Sequence, residues 1–406
     1  MMNRRFRNSA LGVALLGVIL SVVTSFVVLP RMPEGSTTGL DPDRYGILAL
    51  NIASGVGLRY SGDEPPALDR GPVYPYLVAL LFLVAGGFSA AAVQIFQGML
   101  HAATTLLVYT IGSRLYDRPT ALRAQAICAV HPILLWYTGR IWVETTLAFI
   151  VVLSALMVVS LFERPTLVCS ALTGATLGVG TLTKSVFLLF PFVLLAMLVK
   201  THRWEGVRHG VVVLAVGCFI LAPWLWRNER VGGVVLPVHT TLGYNLIQGD
   251  VIGEGWPLQW CCNLDFWRKG QERADSLLHG RTSFRSVEGD RLLARTSLER
   301  FWSDPVFFVR RVLANFFLFW SLSESPLKSA FVGALQWVLV ILACLSYIRH
   351  GKKHHLLMPV VGFTVYYVFV HAFIVGWARY SMPIIPLLLL MAAPLIADIT
   401  TTRKKL

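Results

Sequence analysis

Two carboxylic acids, Asp41 and Asp43, lie close together near the start of the chain, with Pro42 between them. Asp followed by Pro is a favourable helix N-cap and first-turn pair, so capping explains Asp41 as well as chemistry does. The two roles are compatible, because a capping carboxylate has a fixed direction and could take a proton from a hydroxyl or amine nucleophile. Asp43 could assist, bind a divalent cation together with Asp41, or stabilise the helix dipole.

Other ionisable residues lie beside apolar segments. Arg70 precedes a segment with Tyr74 between two prolines, and its guanidinium could bind a phosphate near the carboxylates. A solvated arginine in a turn explains the same pattern. Glu144 lies one turn into an apolar run, which indicates a functional residue or a buried ion pair. In the preceding turn, His131 alone is more typical of a structural histidine, and snorkelling to the interface explains Arg140 equally well.

The composition predicts a membrane protein. Hydrophobic residues make up 55% of the 406-residue chain and charged residues 14%, whereas soluble domains carry about 25% charged residues. The net charge of +14 does not indicate nucleic-acid binding, because the basic residues lie at the ends of apolar runs. The six cysteines lack metal-ligand spacing, and we interpret the adjacent Cys261 and Cys262 as free or capped thiols.

The apolar runs predict an all-α polytopic membrane protein with about ten transmembrane helices. The first run, 10–29, follows a basic N-terminus without a small-x-small cleavage site, which favours an uncleaved span. The other predicted spans are 90–111, 121–136, 141–161, 168–182, 186–199, 211–226, 330–347, 356–375 and 382–399. The short apolar segment 73–85 is predicted to lie in the membrane interface, since every basic loop then falls on one side.

This topology places both termini in the cytoplasm and two large loops, 30–88 and 227–329, on the outer face. A helix at 306–319 in the second loop is predicted to be interfacial. The chain then divides into a membrane catalytic module with the first outer loop (1–226), the second outer loop (227–329) and C-terminal spans (330–406).

Three cations fall on the outer side against the positive-inside bias, namely Lys184, Arg227 and Arg379. Several cations on the same rim as an acidic pair indicate an anionic ligand, such as a lipid phosphate or pyrophosphate. Binding of lipid headgroups without catalysis is the competing interpretation.

Together these motifs resemble the GT-C integral-membrane glycosyltransferases, particularly the bacterial branch related to dolichyl-phosphate-mannose protein mannosyltransferases and lipid A aminoarabinose transferases. That family carries an acidic residue four positions before a tyrosine, a small-residue helix ending in glycine, and a basic residue before a proline-rich interfacial helix. The matching positions in this chain are Asp41, Tyr45, Ala49, Gly55, Gly57, Arg70 and 72–75. The segments 131–144, 182–184, 223–228 and 379–383 also fit.

The resemblance implies an inverting transfer of a sugar from a polyprenyl-phosphate donor to a protein, lipid or cell-envelope glycan. The reaction would take place on the outer face of a bacterial inner membrane. Asp41 becomes the candidate base. Many members have Asp-Glu where this chain has Asp, Pro and Asp at 41–43, which leaves the role of the second acid and any metal dependence open.

The candidate site residues fall into three groups. The catalytic candidates are Asp41, Asp43 and Glu144. The candidates for binding the donor phosphate are Arg70, Arg140, Lys184 and Arg379. The candidates for binding the rest of the substrate are Tyr45, Tyr74, His131, Arg227 and Tyr380. A divalent cation on Asp41 and Asp43 is the one cofactor considered.

Three other functions fit parts of the sequence. A flippase of lipid-linked sugars would usually carry inverted repeats and broken helices near the midplane, whereas here the charges gather on one side. A lipid-linked glycan ligase or polymerase differs only in the size of its donor. A non-catalytic membrane scaffold would tolerate replacement of Asp41 by Asn, and an enzyme would not.

Overall fold

The structure is a computed structural model that describes residues 4–31, 40–235, 239–256, 265–351 and 355–402. Cys261 and Cys262 lie outside these ranges. Within them the chain forms helices and turns without a strand, which confirms the predicted all-α class. The helices are α1 Arg4–Val23, α2 Tyr45–Ala53, α3 Val73–Ala85, α4 Ala90–Leu115, α5 Arg118–Val130, α6 Pro132–Thr138, α7 Glu144–Glu163, α8 Leu167–Thr183, α9 Phe190–Gly232, α10 Leu242–Gly255, α11 Phe266–Leu278, α12 Val287–Ser303, α13 Pro305–Leu318, α14 Pro326–His350, α15 Leu357–Ile374, α16 Ala378–Ser381 and α17 Ile385–Thr402.

Seven helical segments in the described part of the chain are long and apolar enough to cross a bilayer. They are Phe6–Val28, Ala90–Leu115, Glu144–Glu163, Ser185–Gly232, Pro326–His350, Leu357–Ile374 and Ala378–Ile399. The chain is therefore a multi-pass membrane protein. The apolar helix α3 has only 13 residues, which is too short to span a membrane and fits the predicted interfacial segment.

The helix boundaries differ from the ten predicted spans in three places. The predicted span 121–136 is divided into α5 and α6, because His131 is extended (ψ 118°) before Pro132, as the proline ring requires. Helix α8 has 17 residues and is shorter than a full span. Helix α9 begins at Phe190 rather than at 186 and contains the rest of that predicted span together with the predicted span 211–226. The non-helical residue Arg203 lies between the two, in the gap that the prediction left.

Helix α7 lies at the centre of the bundle and packs against α4, α8 and α15. Its core side chains, such as Val151 and Leu161, are fully buried. In lipid such helices associate mainly by close packing, and small residues allow their backbones to approach. Gly174 and Gly178 of α8 provide this against α9, since a Cβ on Gly174 would lie 2.5 Å from the carbonyl oxygen of Val213.

Two loop segments cover one end of the bundle, which we call the loop end. The first loop comprises residues 40–89 and the second comprises 233–325. They are joined by a hydrogen bond of 2.8 Å from the Thr240 amide to the carbonyl oxygen of Leu68. The first loop is also fixed to the start of α7, because the Ile141 amide donates to the carbonyl oxygen of Leu40 at 2.8 Å.

A buried ion pair holds the second loop onto α15. Arg311 of α13 donates from Nε to Asp250 Oδ1 of α10 at 2.6 Å and from Nη2 to the carbonyl oxygen of Ile374 at 2.8 Å. A buried pair is tolerated only when further hydrogen bonds satisfy its remaining donors, as here. The opposite face of α13 is apolar and exposed at Val306 and Val309, as expected of the interfacial helix predicted at 306–319.

Candidate active site

Asp41 binds the beginning of helix α2 through both carboxylate oxygens. Oδ1 accepts a hydrogen bond of 2.7 Å from the Tyr45 amide, and Oδ2 accepts one of 2.6 Å from the Gly46 amide. Arg44, immediately before the helix, has a left-handed backbone (φ 59°) that turns the chain back over this end. The carboxylate of Asp41 therefore binds the helix start and has a fixed direction. The predicted N-cap and first-turn pair is wrong in position, because the helix begins at Tyr45 and its N-cap residue is Arg44.

The surroundings of Asp41 make it a stronger base than an ordinary aspartate. Burial raises the pKa of Asp41 to about 6, against the opposing effect of the hydrogen bonds from Gly46 and Tyr45. The negative charge of Asp43 adds to the increase. A carboxylate with this pKa is still mostly ionised at neutral pH and accepts a proton more readily than one near pH 4.

Arg379 connects the other two acidic candidates. Its Nη2 donates to Asp43 Oδ2, and its Nε donates to Glu144 Oε1 at 2.6 Å. Glu144 is the first residue of α7 and is fully buried, and Arg379 is nearly so. The first loop, α7 and α16 therefore meet at one guanidinium.

Ion pairing gives Asp43 a different acidity from Asp41. Burial alone would raise the pKa of Asp43, but the charges of Arg379 and Arg70 outweigh it and hold the pKa at about 2. Asp43 thus stays ionised throughout the physiological range and is a poor proton acceptor. The two aspartates lie two positions apart in the sequence and differ widely in basicity.

Lys184 lies at the end of α8, beside Asp43, Glu144 and Arg379, which we call the charged cluster. Its Nζ is 3.9 Å from Glu144 Oε1 and 4.1 Å from the centre of the Tyr380 ring. Burial lowers the pKa of Lys184 to about 8; the charge of Glu144 opposes this and that of Arg379 reinforces it. Its side chain is 20% exposed, so the ammonium group can reach a ligand at the loop end.

Arg70 approaches the cluster from the first loop. Its Nη2 is 3.9 Å from Asp43 Oδ1, and its Nη1 donates to the carbonyl oxygen of Asp69 at 3.0 Å. The adjacent Gly71 permits this position, because a Cβ there would lie 2.3 Å from the carbonyl oxygen of Leu182. The first loop therefore touches the end of α8, which brings Arg70 and Lys184 to the same site.

The tyrosine candidates line the same region. Tyr45 and Tyr74 pack edge to face at 4.9 Å, and the Arg70 guanidinium lies 5.6 Å from the Tyr45 ring. The Tyr74 hydroxyl donates to Gln97 Oε1 at 3.2 Å. Tyr380 lies against Lys184, as described above. These rings form apolar walls beside the charged cluster.

Three candidates lie elsewhere in the structure. The Arg227 guanidinium donates to the carbonyl oxygen of Ala67 at 3.0 Å and supports the first loop from α9. His131 is buried at the break between α5 and α6, beside His101. The Arg140 guanidinium lies 4.8 Å from the Trp136 ring. The contacts described for these residues do not include Asp41.

Asp69 is a site residue that the sequence analysis did not identify. Its side chain is 2% exposed, and its Oδ2 accepts a hydrogen bond of 2.9 Å from the Tyr60 hydroxyl. The same oxygen lies 3.5 Å from Arg70 Nη1 and 3.5 Å from Arg285 Nε in the second loop. Asp69 therefore joins the second loop to a cation of the cluster. No short motif marks it, because its partner Arg285 is distant in the sequence.

His239 of the second loop also lies near the cluster and was not identified from the sequence. Its Nδ1 is 2.8 Å from the Thr241 hydroxyl oxygen. Burial and the charge of Arg70 lower the pKa of His239 to about 4. The imidazole is therefore neutral at physiological pH and adds no further positive charge to the cations.

The acidic residues do not fit the divalent-cation site considered from the sequence. Both oxygens of Asp41 face backbone amides, and Asp43 faces two guanidinium groups. A hard divalent ion needs several oxygen ligands in one coordination shell. In the described ranges, no group of three or more His, Cys, Asp or Glu side chains could hold a metal ion.

Residues 69–226 match the family model of the dolichyl-phosphate-mannose-protein mannosyltransferases. The matched stretch includes Arg70, Glu144 and Lys184, and it confirms the resemblance inferred from the motifs over this part of the chain. No curated protein matches the sequence significantly.

Among solved structures, the archaeal oligosaccharyltransferase AglB from Archaeoglobus fulgidus in its apo form is similar, with TM-score 0.60 and 14% identity over 97% of this chain and 51% of AglB. AglB in complex with an inhibitory peptide and a dolichol-phosphate gives TM-score 0.59 and 14% identity over 97% of this chain and 50% of AglB. ArnT from Cupriavidus metallidurans bound to undecaprenyl phosphate has TM-score 0.45 and 14% identity, over 95% of this chain and 78% of ArnT, and this likeness is too weak to support an inference. The chain therefore shares the membrane fold of AglB and spans about half the length of AglB.

Replacing Asp69 by Asn should loosen the second loop, because Arg70 and Arg285 lose the charge they share. Breaking a fully buried pair costs about 3–5 kcal/mol, and we expect about 1–3 kcal/mol here because both arginines are partly exposed. The melting temperature in detergent should fall by about 2–4 °C, and limited proteolysis within the second loop should become faster.

The matched control for Asp69→Asn is Glu299→Gln, which removes an acid from an exposed pair with Arg295 in the same loop. Exposed pairs contribute little to stability, so this variant should behave like the wild type. If Asp69→Asn has the melting temperature and the proteolysis rate of the wild type, Asp69 does not join the second loop to Arg70.

Proposed function

We propose that the chain is a glycosyltransferase that moves a sugar from a polyprenyl-phosphate donor to an acceptor, with inversion at the anomeric carbon. The observation that carries this proposal is a basic, directionally fixed carboxylate, Asp41, two positions from Asp43. Around Asp43 and Glu144 lie three cations, Arg70, Lys184 and Arg379. The family match over residues 69–226 and the fold shared with AglB, one structure of which contains dolichol-phosphate, support it.

In this proposal Asp41 is the base. Of the three acidic candidates, Glu144 is fully buried against Arg379 and Asp43 is held ionised by two arginines. Asp41 is partly exposed, and its contacts are with neutral amide groups. Each of its oxygens keeps a lone pair that could accept a proton from a hydroxyl or amine.

Lys184 is the cation best placed to bind the leaving phosphate. Its ammonium lies 3.9 Å from Glu144 and has no carboxylate at hydrogen-bond distance among the residues described. Its three N–H donors could therefore bind phosphate oxygens as negative charge develops on them. Arg70, 3.9 Å from Asp43, would add a second contact, whereas Arg379 is committed to its two carboxylates.

The reaction would proceed by direct displacement. The acceptor oxygen or nitrogen forms a bond to the anomeric carbon on the face opposite the phosphate, and the bond from that carbon to the phosphate oxygen breaks. The electron pair of the broken bond leaves with the phosphate, which Lys184 and Arg70 stabilise. The proton of the acceptor passes to Asp41. The products are a polyprenyl phosphate and a glycoside of inverted configuration.

A donor with a lipid tail and a charged phosphate would fit a charged cluster at the loop end. A polyprenyl chain would remain among the membrane helices while its phosphate lies at their ends, next to the loops. The positive-inside pattern supports an outer-face location with both termini in the cytoplasm. A bacterial inner membrane and an acceptor that is a protein, lipid or envelope glycan are part of the same proposal.

Replacing Asp41 by Asn should lower transfer by about 10²–10⁴-fold, because the variant lacks the proton acceptor. The assay follows labelled sugar from a panel of polyprenyl-phosphate sugars in membranes that contain the protein. Asp63→Asn, in an exposed part of the same loop, is the matched control and should be as active as the wild type. Equal transfer by Asp41→Asn and the control would reduce Asp41 to a helix cap.

The pH profile of kcat/KM should be bell-shaped. Below about pH 6 Asp41 becomes protonated and cannot accept the acceptor proton. Above about pH 8 Lys184 becomes neutral and cannot stabilise the phosphate. Lys184→Arg, whose guanidinium remains charged, should lose the alkaline fall and keep the acid one. A wild-type profile that is flat between pH 5 and pH 9 would rule out this assignment of both groups.

Gly46→Ala should reduce kcat, because an alanine Cβ would lie 2.8 Å from Asp41 Oδ2 and 3.1 Å from the Phe88 ring. The carboxylate must then move, and a displacement of about 1 Å can cost about 10²-fold in rate. Gly62→Ala is the control, since a Cβ there meets no atom within 4 Å. Transfer kinetics should separate the two variants, and equal rates would show that the position of Asp41 is unimportant.

A further inference from the structure

Arg379 occupies the place between two carboxylates where a bound cation would otherwise be needed. Its Nε donates to Glu144 Oε1 at 2.6 Å, and its Nη2 donates to Glu144 Oε2 at 3.2 Å and also to Asp43 Oδ2. One positive charge thus joins carboxylates from the first loop and from the start of α7. This bridging role is the one that a divalent ion plays between acidic side chains.

The guanidinium is also held in position by its surroundings. Its central carbon lies 4.2 Å from the centre of the Trp142 ring and 5.6 Å from that of Trp377. A desolvated cation over an aromatic face gains further stabilisation. The backbone is fixed as well, because the Ala378 amide donates to the carbonyl oxygen of Leu322 at 3.0 Å. The side chain of Arg379 and the backbone beside it are therefore both held in place.

The charges around the carboxylates disfavour an additional metal ion. Lys184 Nζ lies 3.9 Å from Glu144 Oε1, and Arg70 Nη2 lies 3.9 Å from Asp43 Oδ1. Three cationic side chains thus surround two carboxylates. A divalent ion at this position would be repelled by all of them and would also have to displace the hydrogen bonds of Arg379.

We propose that Arg379 is the resident cation of this site and that the protein needs no divalent metal there. The guanidinium holds Asp43 and Glu144 together and supplies the positive charge between them, which leaves Lys184 and Arg70 for the ligand. The activity arm of the test below rests on the proposed function, whereas its metal-binding arm does not.

A direct consequence is that removal of Arg379 should create a metal site. Without the guanidinium, Asp43 and Glu144 would lose the cation they share and keep only one cation each, Arg70 and Lys184, at 3.9 Å. The oxygens that Arg379 now bridges would then be free to bind one ion. Such a pair binds Mn²⁺ or Mg²⁺ more readily than a pair that is already bridged. An arginine that served only to join helices would leave a destabilised protein with unchanged metal affinity.

The experiment is a Mn²⁺ titration, followed by electron paramagnetic resonance, of the purified full-length protein in nanodiscs. We expect no stoichiometric binding by the wild type up to 1 mM, on the order of the weakest protein sites, and one site at least about 10-fold tighter in Arg379→Ala, a shift of about 1.4 kcal/mol. Arg379→Ala combined with Glu144→Gln should lose the new site. Arg300→Ala, which removes a cation from Glu254 in the second loop, is the control and should bind as the wild type does.

Two results would overturn the proposal. One is stoichiometric Mn²⁺ binding by the wild type, or loss of wild-type sugar transfer in EDTA with recovery on adding Mn²⁺. The other is a folded Arg379→Ala, judged by its melting curve, that gains no Mn²⁺ binding. If Arg379→Ala does not fold, Arg379→Gln replaces it, since Gln can still hydrogen-bond Glu144 without a charge. Absence of transfer with every donor would contradict the proposed function alone, because the Mn²⁺ titration is read without turnover.

Discussion

The bridge from Arg379 to Asp43 and Glu144 is the interaction on which the rest of the site depends. It joins the first loop, the start of α7 and α16 at a place where these side chains are largely removed from water. An isolated buried charge costs several kcal/mol, so each of the three groups is stabilised there by the others. The three elements therefore reach this arrangement together.

This bridge also decides how the two neighbouring aspartates differ. Asp43 faces arginines, which favour its ionised form, whereas Asp41 faces amide groups and the negative charge of Asp43. Environments that push the pKa values of two carboxyl groups apart are a common way to separate a base from a structural charge. The sequence Asp-Pro-Asp at 41–43 shows only two acids, and the fold assigns them different chemistry.

Composition and local pattern were sufficient to predict the all-α membrane class and a carboxylate at residue 41 that binds a nearby helix start, because apolar run length and capping are properties of neighbouring residues. They also placed a break between the spans 186–199 and 211–226, where the non-helical Arg203 lies. They were insufficient for the break at His131, where a proline restricts the backbone inside an apolar run. The bridge joins Arg379 to Asp43, 336 positions away. Topology placed Arg379 on the same rim as the acidic pair, but the sequence does not specify which side chains form the hydrogen bonds, and Asp69 was missed for the same reason.

The buried Asp69 extends this network from the cluster to the second loop. Because one carboxylate oxygen lies 3.5 Å from both Arg70 and Arg285, the position of the second loop and the position of a cation in the site depend on each other. An anion bound at Arg70 would compete with Asp69 for the same guanidinium and leave more of the Asp69 charge to Arg285. Coupling of this kind is reciprocal. If one position of the second loop strengthens anion binding, the bound anion stabilises that position of the loop. The contact at Asp69 therefore gives a physical basis for a second loop that responds to the state of the site.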